Sequence, residues 1–119
     1  MNYLLILDDD RSIEQVKNIS PKPFELYPEL PIVLVKDFKE GQGHLVNAEG
    51  QAVHLCLDWN LYSSPNHMNL TGYDFVQWLV HYDECRKKVL VDDFSFTCHS
   101  SDEEWKAKME KVLQEYKES

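Results

Sequence analysis

The feature that most constrains the fold is an apolar run near the N-terminus that ends abruptly in carboxylates. Leu4–Leu7 is followed at once by Asp8, Asp9 and Asp10. An unbroken apolar run of this length is typical of a strand buried on both faces, as in a parallel sheet covered by helices. Carboxylates at the end of such a strand predict a cation site, because hard divalent cations prefer oxygen ligands.

Two later runs end in the same way. Val53–Leu57 stops on Asp58, and Phe94–Cys98 stops on His99 and Ser100. The carboxyl ends of parallel strands meet at one edge of a sheet, and ligands of open α/β sheets bind beyond that edge. We therefore expect three strands to bring their polar side chains into one crevice.

Helix signals separate the predicted strands. Ser12 and Gln15 have the spacing of a capping box and open a first helix that ends near Asn18. Thr71 and Asp74 open a later helix, whose apolar residues recur at helical spacing. Strands that alternate with helices predict a three-layer α/β/α sandwich around a mainly parallel sheet of about four strands.

The remaining segments carry weaker signals. Ile32–Val35 is a β-branched run suited to a strand. The prolines of Ser20–Leu30 predict an irregular connection, and the glycines of Asp37–Asn47 weaken a predicted helix. Trp59–Leu70 predicts an exposed, mobile loop, and Ser101–Glu104 predicts a capping box that opens the final helix.

Composition limits the class of protein. The chain has 119 residues, of which 43% are hydrophobic, and this predicts a single domain over residues 1–119. A net charge of -9 argues against nonspecific DNA binding, which needs clustered Lys and Arg. The chain lacks an apolar run long enough for a membrane span and lacks a signal-peptide pattern, and its three cysteines have no metal-ligand spacing. We expect a cytoplasmic protein.

Four short motifs occur in order along the chain. They are Leu7–Arg11 after the first strand, Leu57–Asp58 at the end of the third, Leu70–Asp74 at a helix start and His99–Ser100 after the fourth strand. In this order they resemble the cyclic-phosphate processing receiver domain family, which implies a receiver-like, flavodoxin-like fold over nearly the whole chain. The chain departs from the family at Asp58-Trp59-Asn60-Leu61, where the family has Asp-His-Asp-Leu.

The resemblance implies a divalent-metal site, with Mg²⁺ or Mn²⁺ held by Asp8, Asp9 and Asp58. The residues themselves favour a bound cation, because clustered carboxylates repel one another. The alternative is that Asp9 or Asp10 merely caps the first helix. In signalling receivers the residue equivalent to Asp58 is the phosphoacceptor.

The resemblance also implies candidates for catalysis and phosphate binding. Asp58 and His99 are the catalytic candidates, the latter because histidine exchanges protons near neutral pH. Arg11, Thr71 and Ser100 are the candidates for phosphate binding, since a guanidinium matches phosphate oxygens and a helix N-terminus favours an anion. The alternatives are a solvent-exposed arginine and a serine that only caps the final helix.

Three functions fit these observations. The first is a metal-dependent phosphoesterase or phosphate-binding domain, acting on a cyclic phosphate of a small molecule or an RNA end. The second is a response-regulator domain that uses Asp58 as phosphoacceptor. A receiver normally has a lysine at the end of a fifth strand, and Lys87 and Lys88 do not fill that position. The third is a nonenzymatic acidic interaction protein. A homodimer paired through the fourth strand and an origin in a bacterium or its phage are further expectations.

Overall fold

A parallel sheet of four strands forms the centre of the protein, and the computed structural model describes all of residues 1–119. The strands are β1 Tyr3–Leu7, β2 Ile32–Val35, β3 Ala52–Leu57 and β4 Leu90–Cys98. Their order across the sheet is β2-β1-β3-β4, and every neighbouring pair is parallel. β2 and β4 are therefore the edge strands.

Helices cover both faces of the sheet. They are α1 Ile13–Ile19, α2 Lys22–Leu26, α3 Phe38–Asn47, α4 Gly72–Cys85 and α5 Glu103–Glu118. Val16 of α1 packs with Ile6, whereas α3, α4 and α5 contribute to a larger core that contains Leu5. Successive strand residues point to opposite faces, so these two cores lie on opposite sides of the sheet. The predicted three-layer α/β/α sandwich is confirmed.

The register of the sheet brings the carboxyl ends of all four strands to the same level. Leu7 pairs with Val35 on one side and with Leu57 on the other, and Leu57 pairs with Cys98. β1 is fully or almost fully buried along its length, as its unbroken apolarity predicted. The next residue after β1, β3 and β4 is therefore held at one edge of the sheet.

Two helix starts follow the predicted capping chemistry. Oγ of Ser12 accepts from the backbone N–H of Gln15, whose side chain accepts from the N–H of Ser12. Thr71 and Asp74 form the same reciprocal pair at the start of α4. Both capping boxes are confirmed, and α1 ends at Ile19, one residue beyond the predicted end.

Three predicted boundaries are wrong. β4 begins at Leu90, four residues before the predicted start at Phe94. Ser20–Leu30 contains the short helix α2, because Pro21 and Pro23 lie at its start, where a missing N–H costs no hydrogen bond. The final helix is capped by Asp102 instead of Ser101, since Oδ1 of Asp102 accepts from the N–H of Trp105 at 3.1 Å. A carboxylate one residue closer to the helix has displaced the predicted serine cap.

Two other segments are more ordered than predicted. α3 forms despite its glycines, since Asp37 caps it and Gly41 lets it lie close to the ring of Phe75. The Trp59–Leu70 loop is not uniformly exposed, because its residues Leu61 and Ser64 are both buried. No helix in this structure combines the length and apolarity that crossing a bilayer requires.

Candidate functional site

Three side chains from three strand ends meet at the carboxyl edge of the sheet. Asp8, Asp58 and His99 follow β1, β3 and β4 directly. The N–H of Asp58 donates to the carbonyl of Leu7, and the N–H of His99 donates to the carbonyl of Leu57, each at 2.9 Å. All three side chains are buried, and their candidate ligand atoms lie within 4.8 Å of one another.

Asp8 is surrounded by hydrogen-bond donors. Its Oδ2 accepts from Nε2 of His99 at 2.7 Å and from Nη1 of Arg11 at 3.2 Å. Its Oδ1 accepts from the backbone N–H groups of Asp10 and Arg11, both at 2.9 Å. Burial alone would raise the pKa of Asp8, but these bonds outweigh burial and hold the pKa well below its usual range. Asp8 is therefore ionised at neutral pH, and Nε2 of His99 carries a proton.

Asp58 has the opposite electrostatic environment. Burial and the negative charge of Asp8 raise the pKa of Asp58 to about 6, although His99 and Arg11 oppose that rise. Its nearest cation is Nη1 of Arg11, which lies 3.7 Å from Oδ2. One guanidinium is thus shared between two carboxylates. Two carboxylates carry more negative charge than this one guanidinium can neutralise, and a bound cation would supply the missing positive charge.

An open cleft adjoins this buried group, and Asp58 is the member of the group that lines it. The cavity has a volume of about 300 Å³, and its walls are mostly polar. Its lining residues are Asp9, Asp10, Arg11, Asp58, Trp59, Asn60, Ser63, Ser100, Ser101 and Asp102. Four of these side chains are carboxylates, against a single arginine. An anionic ligand would be repelled from this cleft without a cation.

Of the other candidate residues, Asp9 and Ser100 line the cleft and Thr71 does not. Asp9 lines the cleft but lies outside the buried group, and its Oδ2 accepts from the N–H of Ser63 at 2.7 Å. Ser100 lines the cleft, and its Oγ accepts from the N–H of Asp102 at 3.1 Å. Thr71 does not line the cleft, because its hydroxyl caps α4 and donates to Asp74.

Two alternatives from the sequence are settled by these contacts. Neither Asp9 nor Asp10 caps α1, because Ser12 does so. Arg11 is not a free surface side chain either, since it pairs with Asp8 and its side chain is only 31% exposed. The acids after β1 therefore face the cleft or the buried site.

Sequence reasoning missed part of this arrangement. His99 was expected to act on phosphate, yet its first partner is Asp8, 91 residues away in the chain. Asp102 lies within the predicted capping box Ser101–Glu104, yet it also lines the cleft. The sequence did indicate that the two residues lie at the same edge of the sheet, because His99 directly follows β4 and Asp8 directly follows β1. Which side chains touch depends on the strand order, which no local motif reports.

The residues present fit a divalent cation. The carboxylates of Asp8 and Asp58 are oxygen ligands of the kind that both Mg²⁺ and Mn²⁺ accept. Nδ1 of His99 is buried and has no hydrogen-bond partner, so this ring is not fully satisfied by the protein. Arg11 contacts both carboxylates and keeps 31% of its side chain exposed.

Neither Lys87 nor Lys88 contacts this site. Nζ of Lys87 donates to the carbonyls of Val46 and Ala48, and Nζ of Lys88 donates to Asp83. Both lysines precede β4, so they lie at the opposite edge of the sheet from Asp58. This placement agrees with the expectation that they do not fill the receiver position.

The parallel sheet, the helices on both faces and the polar strand ends define a receiver-like domain of the α/β class. Residues 3–115 match the family described as Cyclic-phosphate processing Receiver domain. The match covers nearly the whole chain, so this protein belongs to that family, as the sequence motifs predicted. No curated protein and no solved structure gave a match.

Proposed function

We propose that this domain binds Mg²⁺ or Mn²⁺ together with a cyclic phosphate ester and hydrolyses that ester. The observation that carries the proposal is the meeting of Asp8, Asp58 and His99 at the carboxyl edge of the sheet, in a chain of this family. The ligand would be a phosphate-containing small molecule or an RNA end. Hydrolysis would break one P–O ester bond and leave a phosphate monoester and a free hydroxyl.

The carboxylates would hold the cation. Asp8 and Asp58 supply buried oxygens, and Asp9 adds an oxygen from the wall of the cleft. A divalent cation bound there would polarise a phosphoryl oxygen and lower the pKa of a bound water. Asp58 is the catalytic candidate best placed to contact both ligands, because it belongs to the buried group and also lines the cleft.

Arg11 and Ser100 are the proposed phosphate contacts. Arg11 now shares its guanidinium between Asp8 and Asp58, and a cation would free this group for phosphate oxygens, which it can bind through two N–H donors. Ser100 lines the same cleft, and its hydroxyl proton is not donated to another residue. We do not extend this role to Thr71, because its hydroxyl is used at the start of α4.

His99 has a defined first role. Its Nε2 donates to Asp8, so it orients that carboxylate toward the shared site. Proton donation to a leaving oxygen, the catalytic role considered for His99, would require the imidazole to turn from Asp8 toward the cleft. The geometry therefore supports orientation of Asp8 first and general-acid catalysis second.

One observation favours a second candidate function. Asp8 receives four hydrogen bonds from the protein itself, so this carboxylate is satisfied without a cation. A domain that kept the scaffold but lost catalysis, and that binds a basic partner through its acidic surface, would show the same bonds. The net charge of -9 is consistent with such a partner.

Turnover of a nucleoside 2',3'-cyclic phosphate distinguishes the two functions. The reaction is followed by ³¹P NMR with Mg²⁺ or Mn²⁺ present, using wild type, Asp58→Asn and Asp93→Asn. Asp93 is exposed on β4, and it is a control for the loss of one negative charge. We expect conversion to a monoester with wild type and Asp93→Asn, and a loss of at least 100-fold with Asp58→Asn. Equal conversion by all three proteins would refute the assignment of Asp58.

A further inference from the structure

Trp59 is the single hydrophobic side chain in the wall of the cleft. It directly follows Asp58, so its ring lies beside the carboxylates that would hold the cation. The indole is only partly buried. Part of the indole packs against the main core, and the apolar surface that lines the cleft stays in contact with water.

The backbone at Trp59 is fixed by the start of α4. The N–H of Gly72 donates to the carbonyl of Trp59 at 2.8 Å. Gly72 also lies so close to the carbonyl of Asp58 that an added Cβ would be 2.0 Å from that oxygen. The chain therefore leaves β3 along one path, and this path sets the position of the indole relative to Asp58.

The ring of Trp59 is supported from behind. It stacks on Trp105 of α5, with ring centroids 5.3 Å apart and planes inclined by 8°. Trp105 is itself held by the edge of Tyr73 at 5.2 Å and by Nζ of Lys108, which lies 4.3 Å from its ring centroid. Because its support is already in place, Trp59 loses little conformational entropy when a flat ligand stacks on it.

Packing also leaves the indole N–H unsatisfied. Nε1 of Trp59 is buried and has no hydrogen-bond acceptor in the protein. Tryptophans that serve a core usually place this N–H against an acceptor. In this position Trp59 stacks on Trp105 and lines the cleft, but its indole N–H forms no hydrogen bond.

We infer that Trp59 stacks on a nucleobase, so that the cyclic phosphate bound in this cleft is that of a nucleoside. This inference rests on the proposed function and adds the class of substrate to it. The phosphate would contact the cation held by Asp8 and Asp58, and the base lies against the indole. Stacking on tryptophan tolerates different bases, because every base has an aromatic face.

The test compares two ligands that differ only in the base. Binding of adenosine 2',3'-cyclic phosphate and of methyl riboside 2,3-cyclic phosphate in Mg²⁺ is measured by isothermal titration calorimetry, or as the KM of hydrolysis followed by ³¹P NMR where the ligand is turned over. For wild type we expect the adenosine ligand to bind about tenfold more tightly. For Trp59→Leu we expect the two affinities to be equal, with the affinity for the ligand without a base unchanged.

Trp78→Leu is the matched control. Trp78 stacks on Tyr82 within α4 and does not line the cleft, so this variant loses an indole and should keep the tenfold preference. If Trp59→Leu does not fold, Trp59→Phe retains a smaller ring and should show a reduced preference. The wild-type comparison requires no variant.

The outcomes separate the inference from the proposed function. Equal binding of both ligands by wild type would overturn the role of Trp59 and leave cyclic-phosphate binding intact. A preference that persists in Trp59→Leu would also overturn it, by assigning the base to another surface. Failure of both ligands to bind in Mg²⁺ would overturn the proposed function, and the inference with it.

Discussion

At the scale of single residues, two neighbouring carboxylates have opposite electrostatic properties. Asp8 collects four hydrogen-bond donors and is easily ionised, whereas Asp58 is buried beside that charge and resists ionisation. Arg11 cannot neutralise both residues with one charge. The protein therefore holds an ionised Asp58 at a cost in stability, as expected of a side chain retained for binding.

Asp58→Asn should stabilise the protein in metal-free buffer at pH 8. The folded-state pKa of Asp58 is raised from 3.8 to about 6, so its destabilising effect grows as pH rises through this interval and is complete above it. Removal of the charge should increase the free energy of unfolding by about 1–3 kcal/mol. Urea denaturation with a chelator present measures this change, with Asp93→Asn as control. A clear loss of stability in Asp58→Asn would contradict the electrostatic argument.

His54 gives a pH dependence away from the site. It is buried on β3, where Nδ1 lies 2.6 Å from Oγ of Ser95 and Nε2 lies 3.2 Å from Oγ1 of Thr97. Burial lowers the pKa of His54 from 6.5 to about 4. The unfolded chain therefore binds a proton at a higher pH than the folded chain, and stability present above pH 6.5 is lost as pH falls toward 4.

Replacement of His54 by asparagine should remove this part of the pH dependence. We expect wild type to lose about 2–3 kcal/mol more than His54→Asn between pH 7 and pH 4. The comparison uses urea denaturation at several pH values, and His81→Asn serves as control because His81 is exposed on α4. Parallel stability curves for wild type and His54→Asn would show that His54 is not responsible.

At the scale of elements, the presence of all four strands was predictable, but the start of β4 and some helix boundaries were not. β1 and β3 are apolar in sequence and are buried almost throughout, so pattern and structure agree. α2 was missed because prolines were counted as helix breakers, whereas their place in the first turn makes them compatible with a helix. The start of α5 was misassigned by one residue, since two adjacent side chains were both good caps.

The close contact between Gly72 at the start of α4 and the backbone of Asp58 can be tested by mutation. Gly72→Ala should lower the free energy of unfolding by about 2 kcal/mol or more, because its Cβ would meet the backbone oxygen of Asp58 at 2.0 Å. Gly43→Ala is the control, since a Cβ there has no neighbour within 4 Å. Gly43 lies inside α3, so alanine should stabilise it by about 0.5–1 kcal/mol. Equal effects of the two substitutions on thermal unfolding would contradict the close approach at Gly72.

At the scale of the whole molecule, the site is a product of strand order. Each motif could be read locally, and the sequence therefore predicted a polar edge with Asp8, Asp58 and His99 on it. The pairing of His99 with Asp8 could not be predicted from a motif, because it depends on β1 and β4 flanking β3 in the sheet. The engagement of Asp9 by Ser63 likewise depends on how the loop after β3 folds back.

The central claim is that this polar edge binds a divalent cation. Its most direct test is the thermal unfolding of wild type, Asp58→Asn and Asp93→Asn with a chelator, with Mg²⁺ and with Mn²⁺. We expect a cation at about 100 times its Kd to raise the Tm of wild type and of Asp93→Asn by about 5 °C or more. Asp58→Asn should show little or no rise. A wild-type Tm that does not respond to either cation, or a rise that is equal in Asp58→Asn, would contradict the claim.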